Sequence, residues 1–181
     1  GMGGDLICKI LKAKPEFLIE GKEFILQPQS EWFKIRRLLK EYHYQIEKEW
    51  FLKEDGKYYV IIKAEPAWTQ PQRLKHQQPS IHEYIKEISE IPVNQAVSEK
   101  DMESIYEQYG KYLIETKNPV LKEYLEKEIT KKESIAAELK QSIKEIESEE
   151  LSGKERGNIA KRQRRYQEIQ KEIRDMRKAI G

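Results

Sequence analysis

The stretch that most limits how this chain can fold runs from Lys22 to Pro66. Phe24-Ile25-Leu26 is a short apolar run stopped by Gln27-Pro28, which predicts a buried strand ended by a residue that cannot donate to a ladder. Ser30 offers a helix-capping hydroxyl. Trp32, Phe33, Ile35, Leu38 and Leu39 then recur at helical spacing, with Arg36, Arg37 and Lys40 between them. Two extended runs follow, Gln45 to Leu52 and Tyr58 to Ala64, joined by Glu54-Asp55-Gly56-Lys57. Asp-Gly between β-rich runs predicts a tight hairpin, because Gly takes the positive φ that such a turn demands. The expected order is strand, helix, antiparallel hairpin.

Around this block the chain is lean in apolar residues, 38% hydrophobic against 36% charged, as chains with long exposed helices are. A net charge of only +2 gives no global field for nucleic acid, so any such signal must be local. The single Cys8 cannot form an internal disulfide. It reads as a small packing residue, and a reduced, cytoplasmic setting is expected. His43, His76 and His82 lack metal-ligand spacing, and no metal site is expected. No apolar run is long enough to cross a bilayer, and no membrane partner is expected.

Before the organising block, Gly1-Met2-Gly3-Gly4 leads into a helix with Asp5 in its first turn and Leu6, Ile7, Ile10 and Leu11 as its apolar stripe. Gly-rich backbone at a helix start can approach a ligand closely; a residue left ahead of an initiator Met would give the same letters. After the block the texture changes. Residues 67–80 hold Pro71, Pro79 and several Gln, and read as a linker. Residues 1–66 are then one domain and 81–181 a helical one, with short helices around Ile81 to Ile88 and Asp101 to Tyr109. Asn118-Pro119 is a helix start. Leu125, Ile129, Ile135, Leu139, Ile143 and Ile146 mark one long helix, and Ile159, Tyr166, Ile169, Ile173, Met176 and Ile180 a second. Gly153 and Gly157 bracket a break, so the pair is expected to fold back as an antiparallel coiled-coil hairpin, about 118–151 and 154–180. Lys161, Arg162, Arg164 and Arg165, with Lys154 and Arg156, form a local basic excess. It is either neutralised by Glu145, Glu147, Glu149 and Glu150 across the turn or free to meet phosphates.

Gly1 to Gly4, Leu26-Gln27-Pro28, an Arg-bearing helix, Glu54-Asp55-Gly56-Lys57 and Ala64-Glu65 occur here in an order that resembles the carboxyl-terminal part of the bacterial tRNA (adenine-22-N1)-methyltransferase family. The resemblance continues more loosely through Gly110 and Asn118 into the helical tail. It implies the carboxyl-terminal half of a Rossmann-like class I methyltransferase sheet followed by the α-helical hairpin domain. It further implies S-adenosylmethionine beside Gly1, Met2, Gly3 and Gly4, a target adenine near Gln27, Pro28 and Gln29, and tRNA phosphates on Arg36, Arg37, Lys161, Arg162, Arg164 and Arg165. Gln29 departs from the Asn that family members commonly carry there. In relatives an amino-terminal half-sheet holds most of the cofactor. This chain is therefore expected to be truncated, inactive alone and unable to bind S-adenosylmethionine tightly, and no catalytic residue is assigned. Two other readings compete: a non-catalytic RNA-binding module, and a homodimer formed through the tail seam.

Overall fold

The computed structural model describes residues 1–67, 93–147 and 153–181. The chain divides into two compact units, Gly1–Asn118 and Pro119–Gly181. The linker expected at 67–80 and the short helix expected around Ile81 to Ile88 fall, Ala67 aside, outside the described residues.

In the first unit α1 (Gly4–Ala13) and α2 (Pro15–Glu20) precede β1 (Phe24–Leu26), α3 (Trp32–Glu41), β2 (Tyr44–Glu54) and β3 (Lys57–Pro66). Pro15 ends α1 and opens α2, where a missing N–H costs nothing. The sheet is antiparallel in the order β1-β3-β2, so the last strand inserts between the first two. Leu26 faces Ile62, Phe51 faces Val60, and a bulge falls between Ile46 and Lys48. Asp55 and Gly56 both take positive φ, 47° and 75°, as the sequence requires of a tight hairpin.

One face of this sheet carries the core: Phe51, Val60, Ile62 and Ala64 are buried, as are Ile35, Leu38 and Leu39 of α3, which packs on β2 and on α1. Of the apolar stripe expected on α1 only Ile7 and Leu11 are buried. Leu6 and Ile10, expected in the same stripe, are 49% and 43% exposed. The main packing partner of α1, which is α3, covers only a narrow band of a ten-residue helix. The unit ends with α4 (Val93–Tyr109) and α5 (Lys111–Glu115), which contain the expected helix at Asp101 to Tyr109.

The second unit is two helices, α6 (Pro119–Glu147) and α7 (Gly153–Ile180), packed on each other. Lys132 meets Glu172, Glu133 meets Arg177 and Ser142 meets Arg162, so the helices run antiparallel. Gly157 lies inside α7 and marks no break. The seam of α6 also differs in phase from the apolar pattern. Ile135 is 47% exposed, and the buried neighbour is Ala136, in line with Leu121, Leu125, Ile129 and Ile143. Lys132 occupies the seam position between Ile129 and Ala136; its stem is largely covered while its ammonium reaches Glu172. On α7 the seam runs Ile159, Arg162, Tyr166, Ile169, Ile173, Met176, in steps of three and four.

Candidate functional site

Two of the marked segments, far apart in sequence, meet in space. As the chain leaves β1, Pro28 is buried and its carbonyl accepts from Trp32 Nε1 at 3.1 Å, while Gln27 and Gln29 keep exposed side chains. Gln29 N–H then donates to the Met2 carbonyl at 3.0 Å, and Gly4 N–H donates to the Ser30 carbonyl at 2.8 Å. These bonds advance the same way along both segments, so Gly1–Gly4 runs parallel to Gln29–Glu31. The glycines permit that approach. A Cβ on Gly4 would sit 2.5 Å from the Glu31 carbonyl oxygen, one on Gly3 would sit 2.8 Å from Ser30 Oγ, and one on Gly1 would strike the Gln29 side chain.

Ser30 does not cap α3. The N-cap is Glu31, in the left-handed region at φ 55°, and its side chain turns to the other helix, Oε2 accepting from Asp5 N–H at 3.2 Å. Lys34 Nζ joins the cluster, 2.5 Å from Glu31 Oε1 and 2.9 Å from Asp5 Oδ1, and Lys9 pairs with Asp5 at 2.8 Å. The hydrogen bond from Lys34, then that from Lys9, holds the Asp5 carboxyl at about 2, below its ordinary 3.8. Glu31 is lowered by Lys34 and by the Asp5 amide, and Lys34 is raised by the two carboxylates. Cys8, near this cluster, is half-buried, and burial pushes its thiol up. The sequence marked both glycine and Gln-Pro segments but not Glu31 or Lys34, which carry no motif.

Arg36 and Arg37, expected together on tRNA phosphates, part company. Arg37 is 65% exposed, stacks over Phe33 and pairs with Glu107 at 3.1 Å. Arg36 is corrected: it is 4% exposed, leaving no guanidinium surface for a phosphate. Its Nε donates to Glu49 Oε1 at 2.8 Å, and its Nη1 donates to the Glu107 and Gln108 carbonyls at 3.1 and 3.0 Å, closing the end of α4. Burial pushes the Glu49 carboxyl up, with Arg36 pulling the other way. Gly110, at φ 93°, makes room for the pair, since a Cβ there would lie 2.5 Å from Glu49 Oε2 and 2.9 Å from Arg36 Nη2. A cavity of about 620 Å³ borders this node, lined by Tyr44, Tyr106 and Tyr112 among others and by neither Gly1–Gly4 nor Gln27–Gln29.

The basic cluster on α7 also divides. Arg162 is a half-buried seam residue whose guanidinium donates to the Ser142 hydroxyl. Arg165 pairs with Glu168 at 3.1 Å and Glu172 at 3.4 Å, both acids of its own helix. Lys161 and Arg164 are exposed. The side chains of Glu147, Glu149, Glu150, Lys154 and Arg156 lie outside the described residues. Among the described residues no group of His, Cys, Asp and Glu could hold a metal, and no helix is long and apolar enough to cross a membrane.

A family model, tRNA (adenine(22)-N(1))-methyltransferase, matches residues 1–98. The enzyme of that name from Bacillus subtilis (strain 168) is 42% identical over 65 residues, covering 36% of this chain and 27% of its own length. A putative tRNA methyltransferase of Mycoplasma pneumoniae is 35% identical over 78 residues, covering 43% of this chain and 35% of its own length. Among solved structures, the B. subtilis M1A22 tRNA methyltransferase TrmK aligns over 100% of this chain and 61% of its own, with TM-score 0.61 and 22% identity. A Streptococcus agalactiae protein of the NADB-Rossmann superfamily covers the same 100%, with 57% of its own chain, TM-score 0.57 and 19% identity. A putative tRNA (m1A22) methyltransferase of Streptococcus pneumoniae in complex with S-adenosyl-L-methionine aligns at TM-score 0.53 and 19% identity, over 100% of this chain and 57% of its own. These likenesses show the fold, part of a Rossmann-like sheet plus a helical domain. The chain spans about three fifths of the solved relatives and about a third or less of the curated ones.

Proposed function

The chain belongs to the tRNA (adenine(22)-N(1))-methyltransferase family, and from that premise we propose that it supplies one side of a methyl-transfer site and the tRNA-holding tail. In the complete reaction a methyl group passes from S-adenosylmethionine to N1 of an adenine drawn from its stack. The sulfonium supplies the reactivity; what these residues contribute is placement. In this reading Gly1–Gly4 lie against the cofactor, the exposed amides of Gln27 and Gln29 face the base, and the phosphates meet Arg37, Lys161, Arg164 and Arg165. A tRNA substrate makes the cytoplasm the expected compartment.

The observation that carries the proposal is the pairing of Gly1–Gly4 with Gln29–Glu31 through the Gln29-to-Met2 and Gly4-to-Ser30 bonds. Two segments that the resemblance assigns to cofactor and base are thereby placed at one corner. Little of a cofactor pocket is built by one corner, so the chain alone is expected to bind S-adenosylmethionine no tighter than roughly 1 mM and to be inactive alone.

The test is a tRNA shift assay over a salt series. Charge reversal at Lys161, Arg164 and Arg165 should flatten the slope of log affinity against log salt by about one for each phosphate no longer neutralised. The same change at Arg162 should disrupt the hairpin instead. A slope identical in native and reversed chains would overturn the assignment of this surface to RNA.

A further inference from the structure

We infer that Glu31 is the positioning residue of the glycine corner, fixing Gly1–Gly4 through its carboxylate and its backbone together. Residues with a Cβ avoid the left-handed region, and one held there at φ 55° and ψ 41° is held by its surroundings. Those surroundings are identifiable. The Glu31 carbonyl accepts from Lys34 N–H at 2.9 Å, opening α3, and the same oxygen is what a Cβ on Gly4 would strike. The carboxylate reaches 26 residues back to the Asp5 amide. α1 needs such help, because its own N-cap is Gly3, which has no side chain to offer. Lys34 closes the arrangement by binding Glu31 and Asp5 at once. One residue therefore terminates two helices and sets the distance between the glycine stretch and the Gln-Pro segment.

This has a consequence for ligand choice, resting on the reading that Gly1–Gly4 face a cofactor. A helix start preceded by glycines ordinarily offers free N–H groups to a phosphate. Here the Gly4 amide is spent on Ser30 and the Asp5 amide on the Glu31 carboxylate. The corner is thereby closed to phosphate and left open to a neutral or cationic group. Glu31 acts through the loop without having to touch the ligand.

The full chain labelled with ¹⁵N tests this without cofactor or tRNA, so its outcome is independent of the functional assignment. Glu31→Gly removes the carboxylate while suiting the left-handed backbone. It should lower protection of the Asp5 amide about fivefold, the scale of removing one helix cap, and broaden or shift the Gly3 and Gly4 signals. Glu31→Gln, which keeps an acceptor oxygen, should restore most of that protection. Inorganic phosphate added to the native chain should leave the Gly3, Gly4 and Asp5 signals unmoved. Native protection of Asp5 in Glu31→Gly would overturn the proposal, as would a saturable phosphate shift at those amides in the native chain.

Discussion

Arg36 lies inside the first unit, 4% exposed, its guanidinium spread over Glu49 and the two carbonyls that end α4. Arg177 in the helical hairpin reaches Glu133 at 2.5 Å with 61% of its side chain exposed. The chemistry of the two pairs is identical and the solvent is not. In the first unit removal of one partner strands a charge in the interior, whereas in the hairpin water takes the partner's place. Charge-rich composition therefore says nothing about which charges hold the fold. Their surroundings decide.

The sharpest way to break this contrast is Arg36→Ala. It leaves Glu49 buried without its cation and α4 without its end cap, a loss of about 3–5 kcal/mol. Trp32 and Trp50 lie in the first unit and residues 119–181 contain no Trp, so fluorescence reports the first unit while helical circular dichroism also follows the hairpin. The fluorescence transition should move to much lower denaturant. Replacing both partners, Arg36→Met with Glu49→Leu, should recover most of the loss. A single variant as stable as the native chain would show that the pair carries no structural load.

The hairpin is held by its seam, which offers a second comparison. Ala136→Asp places a carboxylate at a position 4% exposed and should cost about 2–4 kcal/mol, whereas Ile135→Asp, at a position 47% exposed, should change little. The reverse ranking, read by thermal circular dichroism, would restore the seam that the apolar pattern suggests.

That pattern went astray for a physical reason. In reading α6, size and hydropathy favour Ile135 over its smaller neighbour Ala136, and Lys132 breaks the apolar series although its stem packs in the seam. Arg36 and Arg37 pose the same difficulty: adjacent on a helix, they point about a third of a turn apart, and only the packing of β2 and α4 against α3 distinguishes inside from outside. The strand–helix–hairpin order was legible because its signals are local, Pro28 stopping β1 and Asp55-Gly56 making the turn. The glycine corner was legible only through family resemblance. Glu31 was not legible at all, since its left-handed backbone and its reach to Asp5 arise from contacts between residues far apart in sequence.

The smallest effect expected concerns surface charge in both units. Arg177→Ala should cost less than about 1 kcal/mol, as exposed pairs do. The Asp5–Lys34–Glu31 cluster is also largely exposed, but one ammonium serves two carboxylates. Its signature is pH dependence more than net stability. Asp5 and Glu31 titrate below their ordinary values in the folded chain, so their stabilisation is present above the ordinary carboxylate range and lost as pH falls through the folded values, which for Asp5 means from 3.8 toward about 2. Lys34 is raised, so its share persists until pH climbs past the ordinary 10.5. Lys34→Met removes the ammonium that both acids share. The Asp5 midpoint, followed by carboxyl chemical shift, should climb back toward 3.8, while the Lys9 pair at 2.8 Å keeps it from returning fully. A midpoint unchanged in Lys34→Met would mean that Lys9 alone sets the Asp5 charge, and that the glycine corner is tied to α3 only by Glu31.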